Sequence, residues 1–382
     1  MLVPSYGSVI SCLLFGNILI LYFYLQSKNH LYILKYGCHI VIISMVFLML
    51  RMFFPCNFVF TYSIYMKPLV IPLMDFLRTE IFPGIQLLTI LLYLSLGGFL
   101  IKLSLLLYQQ YQFFQMIQIY PPLEHKLANS ILEQRKAVHG IKKRIYLIET
   151  SLIKSPCITG FLHPTILLPD NNFSVSELTY ILDHELQHYL HHDLWIRLLC
   201  ELMVCFYWWN PLSYLLRGHL GKTLEFTADF STTKSMDKSN RLHYMKCILD
   251  VADQPDIRTI PVAPLCFWEG DTNILEQRFT LILDRPDKVK KSLSYIINIA
   301  IITVIMFISI YCAFEPDYEV PKEITETTVA LEKDKTFFIK NNGKYDVYYK
   351  GKYWGTCDTM NSFPGYKVYK TIKEAKTHEK FN

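Results

Sequence analysis

Charge is scarce in this chain. Only 19% of its 382 residues are Asp, Glu, Lys or Arg, while 52% are hydrophobic. Ordinary soluble domains carry about 25% charged residues, so the composition is unlike that of an ordinary soluble domain. Ten cysteines are present, yet none forms a Cys-x-x-Cys pair, which excludes a cysteine-based zinc site. Met1 to Gly7 carries no charged side chain. The first apolar run therefore lacks the basic flank of a cleavable signal peptide and is read as retained. The net charge of +5 is modest and gives no separate case for nucleic acid.

Long apolar runs are what the chain has instead. Four stand out: Ser8 to Gln26, Leu34 to Phe54, Ile85 to Tyr108 and Ser294 to Phe314. Each reaches the roughly 20 residues that a helix needs to cross a bilayer. Asn17 and His39 are expected to face other helices, and Lys102 to snorkel. Lys28 and Lys35 follow the first run; Arg285, Lys288, Lys290 and Lys291 precede the fourth. Arg51, Lys67 and Arg78 argue weakly the other way. The larger basic clusters put the N-terminus outside and residues 109–293 in the cytoplasm. The expected organisation is three spans within residues 1–108 with an outer loop at 53–84, a cytoplasmic domain at 109–293, a fourth span at 294–314 and an outer tail at 315–382.

The cytoplasmic part carries His184-Glu185-Leu186-Gln187-His188, an HExxH pattern. Residues four apart share one helical face, so both imidazoles can address one ion. Neutral imidazole suits Zn²⁺, and a catalytic zinc keeps a position open for water. Glu185 is placed to take that water's proton. Ser174-Val175-Ser176-Glu177 reads as a capping box that starts the helix near Val175. Leu178, Ile181, Leu182 and Leu186 give it an apolar side to bury. Asn210-Pro211 opens a later helix, which carries Glu225-Phe226-Thr227-Ala228-Asp229. Glu225 is the natural third ligand. Asp229, one turn on, can accept the free N–H of a ligating histidine.

HExxH followed by Glu-x-x-Ala-Asp on a later helix resembles the gluzincin-type membrane metallopeptidases. Within them the chain resembles the bacterial antirepressor metallopeptidases, the type of the β-lactam sensor-transducers. Further matching pieces are Ser155 to Gly160, Pro164 to Pro169, His184 to Asp193 and Asn210-Pro211-Leu212. The resemblance covers roughly the first 315 residues. It implies zinc on His184, His188 and Glu225, with Glu185 as general base. It also implies a cytosolic protease domain that cuts itself, a transcriptional repressor, or both. Within these 382 residues no counterpart of the penicillin-binding sensor domain of the best-known members is expected.

The fold class expected is thus a multi-pass α-helical membrane protein of four spans, with a cytoplasmic α+β gluzincin-like peptidase domain and a small outer α+β tail. In the peptidase part, Leu123 to Ile141 reads as a helix and Lys143 to Glu149 as a strand. Strands around Cys157–Thr159 and Thr165–Leu168 turn at Gly160, and their ribbon is a candidate edge for a substrate peptide. Trp195 to Leu216 is read as a core helix touching the membrane surface through Trp208 and Trp209, because a fifth span would separate Glu225 from His188. His191 lies about 10 Å along the helix from His184 and is set aside as a ligand. Asp193 is placed on the opposite side of a continuing helix and read as structural. His219, His243 and Tyr244 are candidates to stabilise an oxyanion. Arg278-Phe279 and the basic run near Arg285 offer a place for self-cleavage, set against a plain basic membrane flank.

In the tail, Glu315 to Asp334 reads as a linker, followed by two strands around Asn341-Asn342-Gly343 and a helix from Thr371 to Lys380. The tail is a candidate receptor for an outer ligand or a plain cap, and Cys56 and Cys357 fall on one side of the membrane where a bridge can form. Two rivals stand beside proteolytic signalling: a constitutive peptidase for quality control or peptide maturation, and a catalytically silent receptor scaffold. The oligomeric state is left open.

Overall fold

Two of the predicted apolar runs become helices long and apolar enough to cross a membrane by length and composition. In this computed structural model they are α1 (Tyr6–Ser27) and α4 (Leu87–Gln118). The helices of the other two runs, α2 (Cys38–Phe53) and α11 (Leu293–Tyr311), are shorter. The structure describes residues 3–27, 38–58, 60–65, 67–123, 125–252, 272–283, 293–315, 331, 336–341, 343–360, 363, 365–372 and 374–375. The basic clusters at 28–35 and 285–291, most of the predicted linker and the end of the predicted C-terminal helix lie outside them. The chain divides into two compact units, Met1–Asp317 and Tyr318–Asn382.

Short strands flank the apolar helices. β1 (Val3–Pro4) pairs with β2 (Cys56–Asn57), and β3 (Tyr62–Tyr65) runs parallel to β9 (Cys312–Glu315) directly after α11. Between them lie α3 (Lys67–Arg78) and the β4–β5 hairpin (Glu80–Phe82, Ile85–Gln86). Asn17 faces another helix, as expected: its Oδ1 accepts from Asn210 Nδ2 at 2.8 Å. His39 makes an edge contact with His191, ring centroids 5.5 Å apart.

The part read as a peptidase domain contains α5 (Lys126–Val138) and a three-stranded sheet ordered β6-β8-β7. β6 (Tyr146–Glu149) runs parallel to β8 (Thr165–Leu168), and β7 (Cys157–Thr159) antiparallel to it. Gly160 turns the β7–β8 hairpin at φ +85°, where a Cβ would lie 2.2 Å from the His163 carbonyl oxygen. That left-handed position under a close carbonyl admits only glycine. One apolar core joins α5 (Ile131, Leu132), the sheet (Leu147, Ile158, Ile166) and α6 (Val175–Leu190) through Leu178, Ile181, Leu182 and Leu186. These four are the apolar positions read from the sequence.

After α6 come α7 (Asp193–Phe206), α8 (Pro211–Thr232), α9 (Lys238–Ala252) and α10 (Thr272–Leu283). Helices α7 and α8 form a hairpin that enters the apolar bundle. Leu216, Leu220 and Leu224 of α8 share a core with Leu19, Phe23, Met45 and Met49 of α1 and α2. At the hairpin bend Tyr207 donates to the Met52 carbonyl at 2.7 Å, and Trp208 Nε1 to the Ser95 carbonyl at 3.2 Å. Gly98 lets α4 meet that indole; a Cβ there would fall 2.1 Å from it. Trp209 is about half exposed, while Trp208 is taken up by α4. The helices read as membrane and as peptidase thus share one core.

In the second unit, β10 (Thr336–Asn341) and β11 (Lys344–Tyr349) form the expected hairpin. β12 (Lys352–Cys357) follows through Lys350 and Gly351, both at positive φ, and β13 (Lys367–Tyr369) runs parallel to β10. Cys56 and Cys357 are both free thiols.

Candidate metal centre

Helix α6 starts as its sequence dictates. Glu177 N–H donates to Ser174 Oγ at 3.3 Å, and Ser174 N–H to Glu177 Oε2 at 2.8 Å, which completes the capping box. From that start His184 and His188 fall on one face, with their Nε2 atoms 3.2 Å apart. Helix α8 is capped by Asn210, whose side chain accepts from Leu212 N–H at 3.1 Å. It brings Glu225 opposite the two rings. Glu225 Oε2 lies 3.5 Å from His184 Nε2, and Oε1 lies 3.7 Å from His188 Nε2. Among the described residues, this trio is the one group of His, Cys, Asp and Glu able to hold an ion. Ligands about 2.0–2.1 Å from a tetrahedral zinc lie about 3.3 Å apart. The donor set and its spacing therefore fit a metal.

Both rings are held from behind. His188 Nδ1 lies 2.6 Å from Asp193 Oδ2, so it carries the proton and leaves Nε2 bare. His184 Nδ1 lies 2.8 Å from the Tyr244 hydroxyl, which itself donates to Asp229 Oδ1 at 2.7 Å. With that hydroxyl proton spent on Asp229, His184 Nδ1–H must be the donor to Tyr244. In the neutral ring, the form that can ligate, its Nε2 is bare as well. Both Nε2 atoms face the Glu225 carboxylate.

Two findings correct the sequence reading. Asp193 does not continue α6 on its far side. His191 caps that helix, and His192 adopts φ +59°, which turns the chain so that α7 starts at Asp193 and its carboxylate returns to His188. Asp229 meets His184 chiefly through Tyr244, its own Oδ1 standing at 3.4 Å from Nδ1. Tyr244 is therefore spent behind His184 rather than free to meet an oxyanion. Of the other two oxyanion candidates, His219 is buried against the Phe23 ring and His243 is exposed. His191 stays out of the metal group, as expected, with Nε2 near Ser231 Oγ at 3.3 Å.

Two arginines also reach the site. Arg197 of α7 donates from Nη2 to Glu225 Oε1 at 3.0 Å. Arg278 of α10 forks onto Asp229, Nε to Oδ2 at 2.7 Å and Nη2 to Oδ1 at 2.8 Å, and stands 3.8 Å from Glu225 Oε2. The Arg278–Phe279 bond thus lies inside a helix, with Phe279 against Tyr244 and Ile282. A faint sequence signal existed for α7. Asp193, Arg197 and Glu201 are charged residues four apart in an apolar stretch, hence on one face. All three are buried, and Glu201 pairs with Arg217 at 3.5 Å.

The charges are strongly coupled. Burial opposes protonation of His184, but the Asp229 and Glu225 carboxylates outweigh it and raise its pKa to about 10. Burial pushes the Glu225 carboxyl up, yet His188, His184 and Arg278 hold it well below the usual range. Asp229 likewise stays low, burial being overcome by Arg278 and His184. Burial and the nearby Asp229 carboxylate keep the Tyr244 phenol protonated. Glu185 is buried beside His184 and outside the converging trio.

Comparison with known proteins places the chain in a family. The family model described as BlaR1 peptidase M56 matches residues 78–282. Regulatory protein BlaR1 of Bacillus licheniformis is 35% identical over 109 residues, 28% of this chain and 18% of that protein. The methicillin resistance mecR1 protein of Staphylococcus aureus strain Mu50 is 25% identical over 163 residues, 41% of this chain and 28% of that protein. That of Staphylococcus epidermidis matches to the same extent. The matched stretch spans less than a third of each relative's length. The family match takes in more than half of the chain and every residue of the candidate metal centre, and the chain accordingly belongs to the BlaR1-type M56 peptidase family.

Proposed function

We propose that this chain is a membrane-embedded zinc endopeptidase that passes an outer signal inward by cutting a cytosolic repressor, itself, or both. The observation that carries this reading is the meeting of two histidine Nε2 atoms and one carboxylate at spacings near those of a tetrahedral zinc site. His184, His188 and Glu225 hold the zinc. Bound there, zinc polarises a carbonyl and lowers the pKa of a water. Glu185 accepts a proton from the attacking water on its carboxylate and returns it to the leaving amine. Asp193, Tyr244 and Asp229 keep both rings in the tautomer that ligates.

The substrate is an extended peptide. β7 is the edge strand of the β6-β8-β7 sheet, and its hairpin loop touches α7 through the Phe161–Trp195 contact, ring centroids 4.7 Å apart. A peptide added to that edge is held by backbone bonds across many sequences. Helices α1, α2, α4 and α11 are the four spans, with the N-terminus and the tail outside and the metal helices on the cytoplasmic side. The relatives, named for regulation and for methicillin resistance, support signalling over housekeeping.

The test compares purified wild type with Glu185→Ala in detergent, reading zinc content and fragments. Zinc in both and fragments from wild type alone is the expected result. Absence of zinc from both would sink the assignment.

A further inference from the structure

Glu225 faces the ligand histidines with both carboxylate oxygens, at 3.5 and 3.7 Å from the two Nε2 atoms. A carboxylate so placed can bind a metal through one oxygen or through two. The difference matters, because a second oxygen would occupy the position that a catalytic zinc keeps for water or substrate. Arg197 touches one of the two. Its Nη2 stands 3.0 Å from Oε1, and its side chain is only 8% exposed. Arg278 is farther from Oε2, at 3.8 Å, and spends its fork on Asp229. The two oxygens of Glu225 are thus unequal.

We propose that Arg197 is a positioning residue that engages Oε1 of Glu225 and so leaves Oε2 alone to ligate the metal. This rests on the metallopeptidase reading above. A guanidinium suits the task, since it stays charged and donates but carries no lone pair with which to compete for the ion. Its place is fixed at both ends of α7. Asp193, one turn earlier, is bound to His188, and Tyr207 beyond the helix end is bound to the Met52 carbonyl. The arm reaching Glu225 is therefore pre-set rather than drawn in by the metal.

The experiment loads the full-length protein with cobalt(II) and compares wild type, Arg197→Lys and Arg197→Gln. The visible absorption of cobalt weakens as its coordination number rises, which reads denticity without any turnover. Loss of the clamp is expected to weaken that band in Arg197→Gln and to lower kcat about 10- to 100-fold with KM little changed. Arg197→Lys should fall between. Far-UV circular dichroism checks that each variant is folded, and Arg197→Lys keeps the buried charge should Arg197→Gln fail to fold. Cobalt bound by all three with identical spectra and kcat would overturn the role of Arg197 while leaving the metal site standing. No cobalt uptake by wild type would overturn both.

Discussion

Helices α6 and α7 are consecutive in the chain and meet at the same candidate metal centre, yet they reach it by different means. On α6 the two imidazoles converge through helical periodicity alone, so four residues of spacing suffice. On α7, Asp193 and Arg197 arrive only because His192 turns the chain at positive φ and sends it back past His188. A pattern local to one helix is robust and readable. A pattern that spans a chain reversal depends on one backbone conformation, and it supplies the groups that aim the ligands rather than the ligands themselves.

The largest effect should come from α6. His188→Ala removes one of three ligands, and elemental analysis should find the metal gone and turnover at background. Asp193→Ala tests the α7 side. Metal affinity or activity should drop about 10- to 100-fold, as for other residues that orient a ligating histidine. Wild-type behaviour there would reduce α7 to packing. The next effect is set by pH. In the metal-free site His184, raised to about 10, is protonated at neutral pH. It must shed that proton to ligate, so zinc binding should weaken as pH falls below 10, by up to about tenfold per unit. Calorimetry in buffers of different ionisation heat would count the proton released.

Tyr244→Phe should cost less than Asp193→Ala. Asp229 Oδ1 already stands 3.4 Å from His184 Nδ1 and can take over the bond, whereas His188 has Asp193 alone among the contacts described for Nδ1. Equal losses would break the asymmetry between the two rings. Smallest of all, Ser174→Ala should remove about 1 kcal/mol of stability through the lost cap. Thermal melting would read it, with kcat unchanged, since the cap lies two turns and more before the ligands.

Much of α6 was legible in the sequence because its signals are local. A capping box, a 3.6-residue apolar stripe and HExxH all sit within one helix, and each was found where expected. Glu225 was legible for a related reason: Asn210-Pro211 marks the start of α8, and the helix carries the residue forward. The strands and the Gly160 turn were read from alternation and a single glycine. Asp193 was misplaced because nothing in His191-His192 announces a left-handed residue. Arg278 was read as a membrane flank or cleavage point, since no local pattern ties it to Asp229 some fifty residues earlier.

The sequence by itself determined the chemistry: which residue types offer a metal site, on which helices they lie, and that four long apolar runs accompany them. These follow from spacing and composition, which act over a few turns of one helix. Only the tertiary structure decided how the site is aimed. It brought α7 back onto His188 and Glu225, set Tyr244 between His184 and Asp229, and drove the α7–α8 hairpin into the core of α1 and α2. Those arrangements depend on packing between distant segments, where a buried charge must find a partner of opposite sign and an apolar face must find cover, and no local pattern encodes which distant segment will supply either.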